Sequence, residues 1–289
     1  MLNIKVEHVD QANSNDDFRA FSGVVQDSSN IKNGRSLESW KGKHVIGIAK
    51  DANIKEHVVI QNHPVARLML LPEMPAIQVK SIVSNLIPLC RALICEHLHL
   101  RTVENDVVVL LSESMEPAVP YLQWLLMKNA RVLLFLPATE SQNEESETVD
   151  DLYKHDLFDH GRFKGLATNV IIKRSMVEGI SQHTLKLTKG MGASAIAILP
   201  GAEVAFCAEE EQLCRQLLLA AGMGCRIVWQ TSLQQMDPCE CRCLFSKAIT
   251  LGFFNFNTML EAHSSDGHIQ HGLLEIVNRA ADNEVFTRK

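Results

Sequence analysis

Three cysteines stand at alternate positions in the stretch CECRC: Cys239, Cys241 and Cys243. In an extended segment all three would face one side, and three thiolates with an outside ligand could hold zinc. No C-x-x-C pair accompanies them, and reduced thiols with no metal fit the same pattern. Histidines come in pairs as well: His97 and His99 in EHLHL, and His155 and His160 around DLFD. A charge relay would need a nucleophile and an orienting acid converging on one of them in space. Surface or capping roles would need neither. No G-x-S-x-G, P-loop or H-E-x-x-H sequence occurs.

The stretch VVVLLSESMEPAVPYLQWLLMKNARVLLFLP, Val107 to Pro137, has the outline of a nucleotide-binding β-α-β unit. In such a unit the turn after the first strand carries glycines, because a pyrophosphate must approach the backbone closely. Here the turn reads Ser112-Glu113-Ser114-Met115-Glu116-Pro117-Ala118, with no glycine. Gly190-Met191-Gly192 is no substitute: it follows a helical segment and precedes a strand, the order of a helix end and turn.

The elements that must position these residues alternate along the chain. FSGVVQD, KHVIGIAK and EHVVIQN read as strands of a β-rich beginning. Ile77–Leu100 has helical spacing of Leu and Ile, and Pro88 is expected to divide it into two helices. Val107–Leu111 and Arg131–Leu136 are continuous apolar runs, as in a parallel sheet covered on both faces, with Val119–Lys128 helical between them. NVIIKRS, SAIAILPG, CRIVWQT and FSKAITLGFFNF read as further strands, and EGISQHTLKLTKG and EEEQLCRQLLLAAG as helices. Strands alternating with helices predict an α/β fold with a doubly wound parallel sheet and right-handed crossovers. Thr139–Asp151 holds six acids and no base, and reads as a solvated loop or a docking segment for a basic surface.

A chain of 289 residues, 46% hydrophobic and 21% charged, has the composition of a globular protein with a full core. Its formal net charge of −6 argues against a bulk electrostatic grip on nucleic acid. No apolar run approaches the roughly 18–20 residues needed to span a bilayer, so no membrane insertion is expected. The beginning, MLNIKVEHVD, is charged by its fifth residue and has no apolar h-region. Eight irregularly spaced cysteines then read as reduced thiols in the cytoplasm.

The order of these segments resembles the medium-chain dehydrogenase/reductases, in particular their zinc-free quinone oxidoreductase (zeta-crystallin) branch. HVIGIA, EHVVI and ARLMLLP, then IPLCRALICEHLHL, NARVLL, GMGASAIAILPGAE and LLLAAGMGCRIVWQ occur in the family's order. The tail segments QMDPCECRCLFSKAITLGFFN and LLEIVNRAADNEVF resemble the family most closely. The resemblance implies a Rossmann-like domain over residues 89–269. It also implies a truncated GroES-like β-rich domain over residues 1–88, completed by residues 270–289. Relative to the family, the first strands of that domain and the last strands after Phe286 are expected to be missing.

Laid on this family, the phosphate-loop glycines fall on Ser112, Met115, Glu116 and Ala118. The strand ending in LLFLPAT offers neither an acid for a ribose hydroxyl nor a base for a 2′-phosphate. The family's nicotinamide-side Thr-Ala-Tyr falls on Pro88-Leu89-Cys90. The zinc-binding motifs of the alcohol dehydrogenase branch are absent. The expectation is therefore a catalytically inactive scaffold subunit with no bound cofactor; the alternative is an NADPH-dependent quinone oxidoreductase. In the family, the strand matching Ile249–Phe256 pairs across a dimer. An apolar edge strand needs covering in any case, so Ile249, Leu251, Phe253 and Phe254 are the expected interface, in a homodimer or a hetero-complex. One member of the branch belongs to an early-endosomal complex called FERRY, which couples a small GTPase to messenger RNA and ribosomes. The resemblance thus implies protein partners and a place on the cytosolic face of early endosomes.

Overall fold

The computed structural model describes residues 2–10, 17–28, 40–50, 54, 56–60, 67–138, 166–206, 210–231 and 236–282. The acidic run Thr139–Asp151, His155, His160 and the end beyond residue 282 lie outside them. The chain forms two compact units, Met1–Ile94 with Phe256–Lys289, and Cys95–Asn255.

In the first unit, strands β1 (Leu2–Val9), β2 (Phe18–Ser28), β3 (His44–Lys50), β4 (His57–Ile60) and β5 (Leu68–Leu70) form one antiparallel sheet, ordered β4-β1-β2-β3-β5. Leu2, Ile4, Phe21, Val25, Val45, Val58 and Leu68 point to one core. Strand β1 has a period-two signal in Leu2, Ile4 and Val6, with the polar residues Asn3 and Lys5 between them.

Helix α1 runs unbroken from Ala76 to Cys95 with Pro88 inside it, so the expected division into two helices is wrong. Ile82, Val83, Leu86, Leu89, Cys90 and Leu93 are all buried, whereas Pro88 and Ser84 are exposed. Proline frees the carbonyl four residues back, here that of Ser84 on the exposed face, where water can satisfy it. By length and composition the helical stretch Ala76–Leu100 could cross a bilayer, so the expectation that no run is long and apolar enough is wrong for this stretch. Yet 56% of its most apolar window is buried inside the protein, as in a core helix.

The second unit carries a six-stranded parallel sheet. Its strands are β6 (Val107–Leu111), β7 (Arg131–Pro137), β8 (Val170–Ser175), β9 (Ala193–Ile198), β10 (Ala221–Trp229) and β11 (Thr250–Phe253), ordered β11-β10-β9-β6-β7-β8. The helices between them are α2 (Met115–Met127), α3 (Gly179–Leu187), α4 (Ala202–Ala205), α5 (Glu210–Ala220) and α6 (Pro238–Ser246). Helices α7 (Phe256–Glu261) and α8 (Asp266–Ala281) return to the first unit. Val109, Leu111, Leu133, Phe135, Ile196, Ile198, Ile227 and Trp229 fill a core of the parallel sheet. The expected α/β class and the doubly wound parallel sheet accompanied by a β-rich domain are what the chain adopts.

Candidate functional site

Strand order reverses at β6: the chain steps from β6 outward through β7 and β8, then crosses back to β9 beside β6. In an open α/β sheet the ligand crevice lies at such a switch point, outside the carboxyl ends of the strands. Here it lies between the turn after β6 and the turn after β9.

The first turn is tightly held. Ser112 is fully buried; its backbone N–H donates to the Phe135 carbonyl at 3.1 Å and its hydroxyl to the Ser114 carbonyl at 2.7 Å. Helix α2 begins at Met115, four residues before the sequence pattern suggests, with Glu116 exposed and Ala118 fully buried. The prolines explain the hidden start. Pro117 lies in the first turn, where an N–H has no intrahelical partner, and Pro120 frees only the carbonyl of exposed Glu116. Ser114 gives the helix no side-chain cap.

Across the crevice stands Gly201, in the left-handed region at φ +83°. A Cβ on it would lie 2.5 Å from Oε2 of Glu113, so the Glu113 carboxylate rests against the Gly201 backbone and spans the mouth of the switch point. Two residues on, Glu203 has one buried carboxylate oxygen without a hydrogen-bond partner among the described residues. A pyrophosphate set here would meet the Glu113 and Glu116 carboxylates, one missing backbone donor at Pro117, and the Met115 side chain, while Ser112 and Ala118 are buried. The positive end of a helix favours an anion, but at about 0.3–1 kcal/mol for an exposed charge it does not outweigh that set. The pairing of Glu113 with Gly201 was invisible in the sequence, because 88 residues of chain and a crossover separate them. A polar chain lies near the crevice as well: Tyr121 donates to Gln230 Oε1 at 2.8 Å, and Gln230 Nε2 donates to Cys95 Sγ at 3.6 Å. Burial, reinforced by Glu96, pushes the Cys95 thiol far up, so it stays protonated.

The other sequence candidates do not converge on this place. Cys239, Cys241 and Cys243 lie on helix α6, opened by Asp237 and Glu240 in a reciprocal capping box with bonds of 2.7 and 2.9 Å. The extended geometry that would put all three on one side is therefore not realised. At about 100° per residue, Cys241 points away from Cys239 and Cys243. Gly190 closes helix α3 with φ +86° and donates to the Leu185 carbonyl at 2.7 Å, a helix C-cap.

His97 and His99 sit in a π-helical turn, Glu96–Leu100. Buried Glu96 accepts from the Thr102 backbone N–H at 2.9 Å and lies 3.6 Å from His97 Nε2. His99 lies against Gly252 and meets the Phe254 ring edge-on at 5.5 Å. Burial and then Arg101 push its pKa down. Phe254 is thus inside, 3% exposed, while Phe253 is 55% exposed on edge strand β11. Ile249 and Leu251 pack partly against the core.

No family profile matches the sequence, and no curated protein does. Solved structures do match in fold. An alcohol dehydrogenase superfamily protein from Novosphingobium aromaticivorans shares 12% identity over 98% of this chain and 80% of its own, with a TM-score of 0.67. A mycobacterial quinone oxidoreductase shares 13% over 99% and 81%, TM-score 0.65. A mycobacterial protein complexed with NADPH shares 12% over 98% and 81%, TM-score 0.62. At these identities the likeness is one of fold, and this chain folds as those two-domain oxidoreductases do.

Proposed function

We propose that this chain is a zinc-free member of the quinone oxidoreductase branch that binds no NADPH and serves as a scaffold or assembly subunit. Its pattern resembles quinone oxidoreductase-like protein 1, and with that reading go the cytoplasm, the cytosolic face of early endosomes and a FERRY-like complex. The observation that carries it is the Glu113 carboxylate resting on Gly201 across the switch point, where a nucleotide's phosphates would have to lie. The edge strand β11, with Phe253 exposed, supports a protein partner, a second copy or another subunit.

Titration of NADPH and NADH against the melting temperature tests this reading. A ligand at 100 times its dissociation constant stabilises a fold by about 2.7 kcal/mol. No shift at millimolar nucleotide is expected. A saturable shift, larger for NADPH, overturns the reading in favour of an NADPH-dependent quinone oxidoreductase. That alternative draws its support from the fold shared with the NADPH-complexed protein and the quinone oxidoreductase. It would ask the protein mainly to orient donor and acceptor.

A further inference from the structure

The opposite end of the parallel sheet, where the strands begin, carries an exposed apolar corner that the crevice does not use. Met191 is 76% exposed, Met223 75%, Phe245 88% and Leu219 48%. Backbone contacts bring them together. A Cβ on Gly222 would lie 2.6 Å from the Met191 carbonyl oxygen, which sets the turn after α3 against the residue before Met223. Gly224 donates to the Lys247 carbonyl at 2.8 Å, which joins the same strand to the end of α6, two residues past Phe245. Lys247 Nζ donates to the Leu218 and Ala221 carbonyls at 2.8 Å each, which ties in the end of α5 beside Leu219. In the same turns, an added Cβ at Gly190 or Gly224 would meet nothing within 4 Å, so the backbone there faces open space.

The segments that build this corner carry charge of one sign, with the acid Asp106 beside them. Residues 179–192, 212–226 and 241–250, which build it, contain six lysines and arginines and no acid, in a chain of net charge −6. Arg226 is paired with Asp106 at 2.7 Å, and Lys247 is spent on the two carbonyls. Lys186, Lys189 and Arg242 stand in exposed positions. Lys189 is two residues from Met191, and Arg242 one helical turn from Phe245.

We infer that this corner docks an amphipathic helical segment of a partner protein whose polar face is acidic. Two unbranched, adaptable methionines and an exposed phenylalanine suit the apolar anchors of such a helix, and the basic residues beside them suit its carboxylates. An anionic membrane shares the charge preference, but the corner has no Trp or Tyr of the kind that anchors at a bilayer interface. The inference does not depend on whether the crevice at the other end takes a nucleotide.

The test uses the full chain and fluorescently labelled 18-residue probe peptides, with Leu and Phe at i, i+3, i+4 and i+7 and Glu elsewhere. A matched peptide with Lys in place of Glu and vesicles containing phosphatidylserine serve as comparisons. The acidic peptide should bind saturably, at least ten-fold more tightly than its lysine counterpart, and more weakly as salt rises. Phe245→Ser, at a position that is almost fully exposed, and the double variant Lys189→Glu with Arg242→Glu should each weaken it at least ten-fold with an unchanged melting temperature. Equal affinity for both peptides, indifference to both variants, no peptide binding, or vesicle binding without peptide binding would each overturn the inference.

Discussion

Alanine at Gly192 and alanine at Gly190 should have very different costs although the two glycines are neighbours in one turn. Both have a left-handed backbone, at φ +79° and +86°, so each substitution carries the left-handed penalty of about 1–2 kcal/mol. Space separates them. At Gly190 a Cβ would meet nothing within 4 Å, whereas at Gly192 it would lie 2.5 Å from Gly222 N, 2.7 Å from Ala221 C and 2.8 Å from Gly222 Cα. Those are main-chain atoms at the start of β10, and the Ala221 carbonyl is held by Lys247 Nζ, so no side-chain rotation relieves the clash. Overpacking of this kind adds about 1–3 kcal/mol. Gly190→Ala should therefore lose about 1–2 kcal/mol and Gly192→Ala about 2–5 kcal/mol, summing those two terms. Urea unfolding followed by circular dichroism reads the difference as a midpoint shift at constant slope. Equal losses in the two variants, or a milder effect at Gly192, would refute the close approach of this turn to β10.

Thiol chemistry should divide the cysteines by burial: desolvation pushes Cys90 and Cys225 up to about 12 and Cys95 higher still, whereas Cys239 and Cys241 are exposed. Iodoacetamide at pH 8, with the labelled peptides mapped by mass, should modify Cys239 and Cys241 in the native protein and the other three only in urea; native labelling of Cys95 would contradict its enclosure. His99 should make stability fall in mild acid. Its folded pKa lies below the ordinary 6.5, so the unfolded chain takes up the proton first, and the contribution is complete above pH 6.5 and lost below it. Melting temperatures from pH 7.5 to 5 should decline less steeply for His99→Phe than for the parent, and identical slopes would dismiss the effect. At the sheet edge, Phe253→Lys places a charge on an exposed position. Sedimentation velocity should show a smaller species with an unchanged fold, and an unaltered sedimentation coefficient would remove β11 from the interface.

Sequence pattern alone determined the parallel core of this protein. Runs such as Val107–Leu111 and Arg131–Leu136 are apolar on both faces, and only a sheet covered on both sides buries such a run. Missing glycines between Ser112 and Ala118 were equally legible, since a residue's side chain is fixed by its identity. Other features waited for the tertiary structure. Pro88 signals a break in the sequence, yet α1 passes through it because the freed carbonyl lies on the wet face and six buried residues hold the other. CECRC alternates like a strand but is a helix, because Asp237 and Glu240 cap it and the cysteines have no strong preference of their own. Glu113 closes on Gly201, and Met191, Met223 and Phe245 share one corner, through contacts between segments far apart in the chain. Local composition records which side chains exist and how a segment prefers to fold; which of them meet is decided by the crossovers of the sheet.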